Sequence, residues 1–146
     1  MQVDFFHLTQ MPLERALPQV AERVVERGGR LLIVAEGEAL RAKLDALLWS
    51  YAPESFLPHA AAGTGEDAAQ PILIADSTQA ANGARNIVLA DGIWRDAALA
   101  FDRAVLFFDG DSITEARAAW KELVTRDGVE RRYWKQNEAG RWEQIA

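Results

Sequence analysis

Short apolar runs recur along the chain, separated by stretches with helical periodicity. Val3 to Leu8 is rich in aromatics, and Arg30 to Ala35, Ile72 to Ala75, Asn86 to Ala90 and Ala104 to Phe108 are nearly continuous in apolar residues. Runs this short and this uniformly apolar predict strands buried on both faces, as in a parallel sheet. Between them, Leu13, Leu17, Val20 and Val24 form one helical stripe, opened by Pro12 and ended by Gly28-Gly29. Pro18 lies inside that stripe and predicts either a kink or a start near Leu17. Further helices are expected over Glu38 to Trp49, Trp94 to Phe101 and Ser112 to about Thr125, the last closed by Asp127-Gly128. Asp76 to Arg85 and the Ala/Gly-rich stretch from Ala60 to Gln70 read as loops. The tail predicts a hairpin, with strands over Val129 to Gln136 and Arg141 to Ile145 about a turn at Asn137 to Gly140. Strands alternating with helices predict one α/β domain spanning residues 1–146. The expected form is Rossmann-like and three-layered, a mostly parallel sheet with helices on both faces and a C-terminal antiparallel hairpin.

The helix from Glu38 to Trp49 carries an anomaly. With Leu40 at zero and about 100° per residue, Leu44, Leu47 and Leu48 fall within about 80° of Leu40 and form the core stripe. Trp49 falls at about 180°, on the opposite face. Phe56 follows between Pro53 and Pro58, where a central strand is impossible. If the helix ends by Leu48, Trp49 folds back as a lid on the core. If it does not, Trp49 and Phe56 are exposed neighbours on a partner-binding patch, since buried aromatic anchors dominate interface energies.

Composition narrows the field. The chain has 146 residues, 49% hydrophobic, enough for a real core, and no cysteine, which removes disulfides and thiolate chemistry. No run approaches the ~18 apolar residues of a membrane helix, and Met1-Gln2-Val3-Asp4 carries no basic leader, so a cytoplasmic protein without membrane attachment is expected. The net charge of −6 argues against strong direct binding to nucleic acid.

Candidate chemistry is sparse. Gly63-x-Gly65-x-x-Ala68 mimics a dinucleotide fingerprint, but no apolar strand precedes it and Pro71 follows. No phosphate-binding G-x-x-x-x-G-K-[ST] is present, and no cofactor is called for. His7 and His59 are possible general bases, but neither has a recognisable nucleophile, so hydrogen-bonded structural roles are the simpler reading. Glu36, Asp76, Asp109 and Asp111 each follow a predicted strand. Carboxylates converging there would hold Mg²⁺ for phosphotransfer or hydrolysis, and Asp76, Asp109 and Asp111 make that the alternative enzymatic reading. The plainer account makes Asp111 or Ser112 a helix N-cap and the others loop residues.

On the last helix, Ile113, Ala116, Trp120 and Val124 share a face, and Arg117 and Lys121 line its edge beside Trp120. Their stems can lie along the indole while the charges reach solvent. The pattern fits a core tryptophan with two solvated flanking cations. It also fits a cationic rim for an anionic partner with a hydrophobic end.

Leu48-Trp49, then Pro-Glu-Ser-Phe-Leu-Pro-His over residues 53–59, then the loop with Gly63-Thr64-Gly65, resembles the χ (chi) subunit family of the bacterial DNA polymerase III clamp-loader assembly. The resemblance runs over most of the chain, firmest from about Leu40 to Ala75 and from Asp109 to Lys121. It implies a non-catalytic adaptor. Trp49 and Phe56, with Leu57, would contact a ψ (psi) subunit. Arg117, Trp120 and Lys121, with Phe107 as a pocket wall, would receive the acidic C-terminal tail of single-stranded-DNA-binding protein. A helicase competing for the ψ-facing surface is also implied. The chain departs from the family in having Trp120 in place of a tyrosine, and Ile113 and Thr114 where a further lysine is expected. The segment with Tyr133, Trp134 and Trp142 falls outside the resemblance.

Overall fold

The computed structural model describes residues 1–51 and 58–146. Phe56 and Leu57 lie outside the described residues. The elements in chain order are β1 (Gln2–His7), α1 (Leu13–Glu26), β2 (Leu31–Val34), α2 (Glu38–Ser50), β3 (His59–Ala61), β4 (Ile72–Ala75), β5 (Asn86–Leu89), β6 (Arg103–Phe108), α3 (Ile113–Leu123), β7 (Glu130–Gln136) and β8 (Trp142–Gln144). A 3-10 turn over Asp96–Ala100 stands where a short helix is expected from the sequence.

The strands form one eight-stranded sheet in the order β3-β4-β2-β5-β6-β1-β7-β8. Leu31–Val34 and Ile72–Ala75 are buried throughout because helices cover both faces of the sheet. Side chains alternate between two cores. Phe5, Leu106 and Phe108 point into the one that includes Ala116, Ala119 and Leu123 of α3. Phe6, Ile33 and Phe107 point into the one built with α1 and α2. The predicted mostly parallel α/β architecture is therefore the one observed.

The C-terminal hairpin is antiparallel as expected, between β7 and β8, while β7 itself pairs parallel with β1, from Gln2↔Glu130 to His7↔Lys135. Three local expectations are corrected. His59–Ala61, expected as loop, forms an edge strand parallel to β4. Pro18 neither starts nor interrupts α1: it is buried inside a helix that begins at Leu13 after Pro12. There it forgoes only the bond to the carbonyl of Glu14, in the first turn. Finally, α3 is rotated from the expected wheel. Ala116, Ala119 and Leu123 are buried, whereas Val124 is 64% exposed.

In α2, Leu44 and Leu48 are buried, and Leu40 and Leu47 pack against the same core. The helix continues through Ser50, so Trp49 remains on its outer face, 60% exposed, and is no lid.

Candidate functional site: a cation-rimmed aromatic cavity

The parallel pairing of β1 with β7 aligns side chains into rows across the sheet. Tyr133 stands beside Phe5 and Lys135 beside His7. Tyr133 also exchanges backbone hydrogen bonds with the segment after β8, donating to the Ala146 carbonyl at 3.1 Å and accepting from the Ile145 amide at 2.8 Å. Over these rows lies α3. His7, Arg117, Trp120, Tyr133, Lys135 and Ile145 line an open cavity of about 320 Å³.

Trp120 forms its floor. Its ring meets Phe5 edge-on at 5.3 Å and Tyr133 edge-on at 5.6 Å. The Arg131 guanidinium lies over the indole at 4.0 Å and donates to the Trp120 carbonyl at 2.6 Å. The indole is thus half-buried and braced, which leaves an apolar surface rather than a swinging side chain. Trp120 both packs on the core and lines the cavity.

His7 closes one end. Its ring stacks on Phe108 at 4.9 Å, and Nδ1 lies 3.4 Å from the Tyr133 hydroxyl. Burial, followed by the charges of Lys135 and Arg117, holds His7 below its ordinary pKa, while Asp109 pulls the other way. Burial pushes the Tyr133 hydroxyl up, opposed by Arg117. Lys135 and Arg117 thus act as positive charges on the cavity groups, with Asp109 opposing them at His7. Among the described residues, neither Arg117, Lys121 nor Lys135 has a carboxylate within salt-bridge distance.

Two expected members of this site lie elsewhere. Lys121 is exposed and is not among the lining residues. Phe107 is 1% exposed and points to the α1/α2 core, its ring tilted against that of Phe6 at 5.5 Å. Its neighbour Phe108 points to the opposite, α3-side core, where its ring stacks on His7, because successive strand residues point to opposite faces.

Trp49 sits at the far edge of the sheet. Its ring lies 4.6 Å from that of His59 on β3. His59 is buried, with Nε2 3.0 Å from the Asp45 carbonyl and 3.1 Å from its carboxylate. This histidine fastens the end of α2 to the edge strand, a structural role rather than that of a general base.

A larger crevice of about 600 Å³ opens at the carboxyl ends of β1, β5 and β6, where open α/β sheets commonly bind ligands. Two of its carboxylates, Asp91 and Asp109, are engaged within the fold. Asp91 accepts from the Glu36 amide at 2.8 Å and pairs with Arg95. Burial raises its carboxyl pKa, but Arg95 and the backbone amides outweigh that and the net shift is down. Asp109 accepts from the Asp111 amide at 2.9 Å and from the Ser112 amide at 3.3 Å, so it shapes the entry to α3. Neither Asp111 nor Ser112 caps the helix with its side chain. Among the described residues no three His, Asp or Glu side chains come together as a metal-holding group, as the Mg²⁺-dependent reading through Asp76, Asp109 and Asp111 requires.

The sequence model of the family described as DNA polymerase III chi subunit, HolC, matches residues 1–130. This chain belongs to the chi subunit family. It is 32% identical over 96 residues to DNA polymerase III subunit chi of Escherichia coli (strain K12). That alignment covers 65% of this chain and 65% of the E. coli protein. The chi family match takes in Trp49, Arg117, Trp120 and Lys121, and stops at the first residue of β7.

Tyr133, Lys135, Ile145 and His7 were not assigned to a cavity from sequence. Alternation along β7 could have placed Arg131, Tyr133 and Lys135 on one face. Choosing the face required knowing that β7 lies beside β1, a pairing across more than a hundred residues. Among the described residues no helix is long and apolar enough to cross a membrane.

Proposed function

We propose that this chi-family chain is a non-catalytic adaptor of the bacterial replicase. It joins the clamp-loader complex, through a ψ-like subunit held at the Trp49 surface, to the acidic C-terminal tail of single-stranded-DNA-binding protein. The tail enters the cavity between α3 and β7. The observation that carries the reading is a cavity lined by Trp120 and Tyr133 and by Arg117 and Lys135, cations that have no carboxylate in salt-bridge distance among the described residues. An acidic peptide ending in an apolar residue matches both properties: its carboxylates meet the cations and its last side chain rests on Trp120. Joining two moderate contacts through one rigid domain raises effective concentration at the lagging strand. A helicase that uses the ψ-facing surface would compete there. Naked single-stranded DNA is bound weakly, given the net charge of −6.

The test is capture of the purified protein on an immobilised aspartate-rich peptide ending in phenylalanine, against the same peptide ending in aspartate and against a bare oligonucleotide. Retention by the first alone is expected. Tight, salt-sensitive retention on the oligonucleotide would replace the adaptor reading with direct nucleic-acid recognition.

A further inference from the structure

The hairpin β7–β8 begins where the match to the chi family ends. Its contribution to the cavity nevertheless exceeds that of α3: Tyr133, Lys135, Ile145 and Ala146 come from the hairpin segment, against Arg117 and Trp120 from the helix. We propose that Lys135 on β7 is the second cation of the acidic-peptide site, in place of Lys121, and that Tyr133 and Ile145 complete the seat for the peptide's apolar end. This rests on the adaptor reading and specifies who does the binding.

Three observations support it. First, direction: Ala116, Ala119 and Leu123 fix the core-facing side of α3. At about 100° per residue, Arg117 lies roughly 130° from the centre of that side and Lys121 roughly 170°, straight outward. Trp120, on the cavity flank, is nearer to Arg117 than to Lys121. Second, register: His7 and Lys135 are neighbours on adjacent strands, so the Lys135 stem rises on the same sheet face as His7, Tyr133 and the Trp120 ring. Third, availability: Glu143 stands opposite Lys135 on β8, but its carboxylate accepts from the Asn137 side chain at 2.8 Å. Asp109, the carboxylate acting on His7, is held by the Ser112 and Asp111 amides. Lys135 is thus a cation that lines the cavity together with Arg117 and, among the described residues, has no carboxylate in salt-bridge distance. Ile145, paired with Tyr133 and 57% exposed, offers an apolar edge that a neighbouring apolar side chain would cover.

The experiment titrates the aspartate-rich peptide ending in phenylalanine into the full chain and into Arg117→Glu, Lys121→Glu, Lys135→Glu and Ile145→Asp, at low and at moderate salt, with thermal melts alongside. Lys135→Gln serves as a milder variant should charge reversal disturb the fold. We expect Arg117→Glu and Lys135→Glu each to weaken binding on the order of tenfold at low salt, and less at moderate salt. Lys121→Glu is expected to weaken it less than about threefold, by long-range field alone. Ile145→Asp weakens it at both salts. A loss from Lys121→Glu equal to or greater than that from Lys135→Glu overturns the proposal and leaves the adaptor reading standing. Wild-type binding by Arg117→Glu overturns the adaptor reading itself.

Discussion

His7 sits between cations that discourage its protonation, and this has a definite pH consequence. Burial and the charges of Lys135 and Arg117 favour the neutral ring in the folded chain. The unfolded chain therefore takes up the proton first as pH falls. The associated stability is present above about pH 6.5 and is lost as pH falls through that value toward the lowered folded one. A bound acidic peptide would offset the charges of Lys135 and Arg117, though not the burial, so affinity is expected to rise as pH falls toward the lowered His7 pKa. Peptide titrations between about pH 7.5 and 5.5 should show that rise in the wild type and lose it in His7→Gln. A flat wild-type profile would place the peptide away from His7. Trp120 makes a second prediction at this scale. Because its indole meets Phe5, Tyr133 and Arg131 as well as the cavity, Trp120→Ala should lower stability by roughly 3 kcal/mol. Trp120→Phe should retain most of the fold while weakening peptide binding at every salt concentration. The fold loss is read by thermal melt and the binding loss by titration, so the two roles separate.

Elements were legible from sequence where the signal is local. The stripe Leu40, Leu44, Leu47, Leu48 predicted both the helix and its buried face, because 3.6-residue periodicity is complete within α2. Ile72–Ala75 could be placed as a buried strand because apolar runs bounded by turns have few alternatives. Long-range pairing was not legible. β3 is His-Ala-Ala, with no β-branched residue to mark it, and exists because β4 offers it an edge. β7 was read as half of an antiparallel hairpin, and its parallel docking on β1 is what builds the cavity. Phe107, expected as a pocket wall, faces the α1/α2 core for the same reason: one position along a strand exchanges one core for the other. For α2, the exposed Trp49 and buried Leu44 give opposite expectations. Leu44→Ala should cost about 2–5 kcal/mol, whereas Trp49→Ala should cost less than about 1 kcal/mol. Chemical denaturation distinguishes them. A large loss from Trp49→Ala would make that tryptophan a structural brace on His59 rather than a surface for a partner.

Across the whole molecule, the two surfaces are set apart by the sheet. From β3, beside Trp49, to β7, under the cavity, there are six strand spacings, or roughly 29 Å at about 4.8 Å each. They also lie on opposite faces, since α2 packs on one core and α3 on the other. Two partners can therefore be held at once without contact, as an adaptor requires. At that separation substitutions should act independently. Trp49→Glu should leave acidic-peptide affinity within about twofold of wild type, and a change beyond that would mean the surfaces are coupled. The most direct test of the adaptor reading is residue-resolved NMR mapping of the aspartate-rich peptide on the labelled wild-type chain. The account predicts shifts concentrated at Arg117, Trp120, Tyr133 and Lys135, the Trp120 indole among the largest, with Trp49 unmoved. Shifts gathered instead at Gln10, Met11, Asp91 and Asp109, in the crevice at the strand ends, or spread without focus, would contradict it.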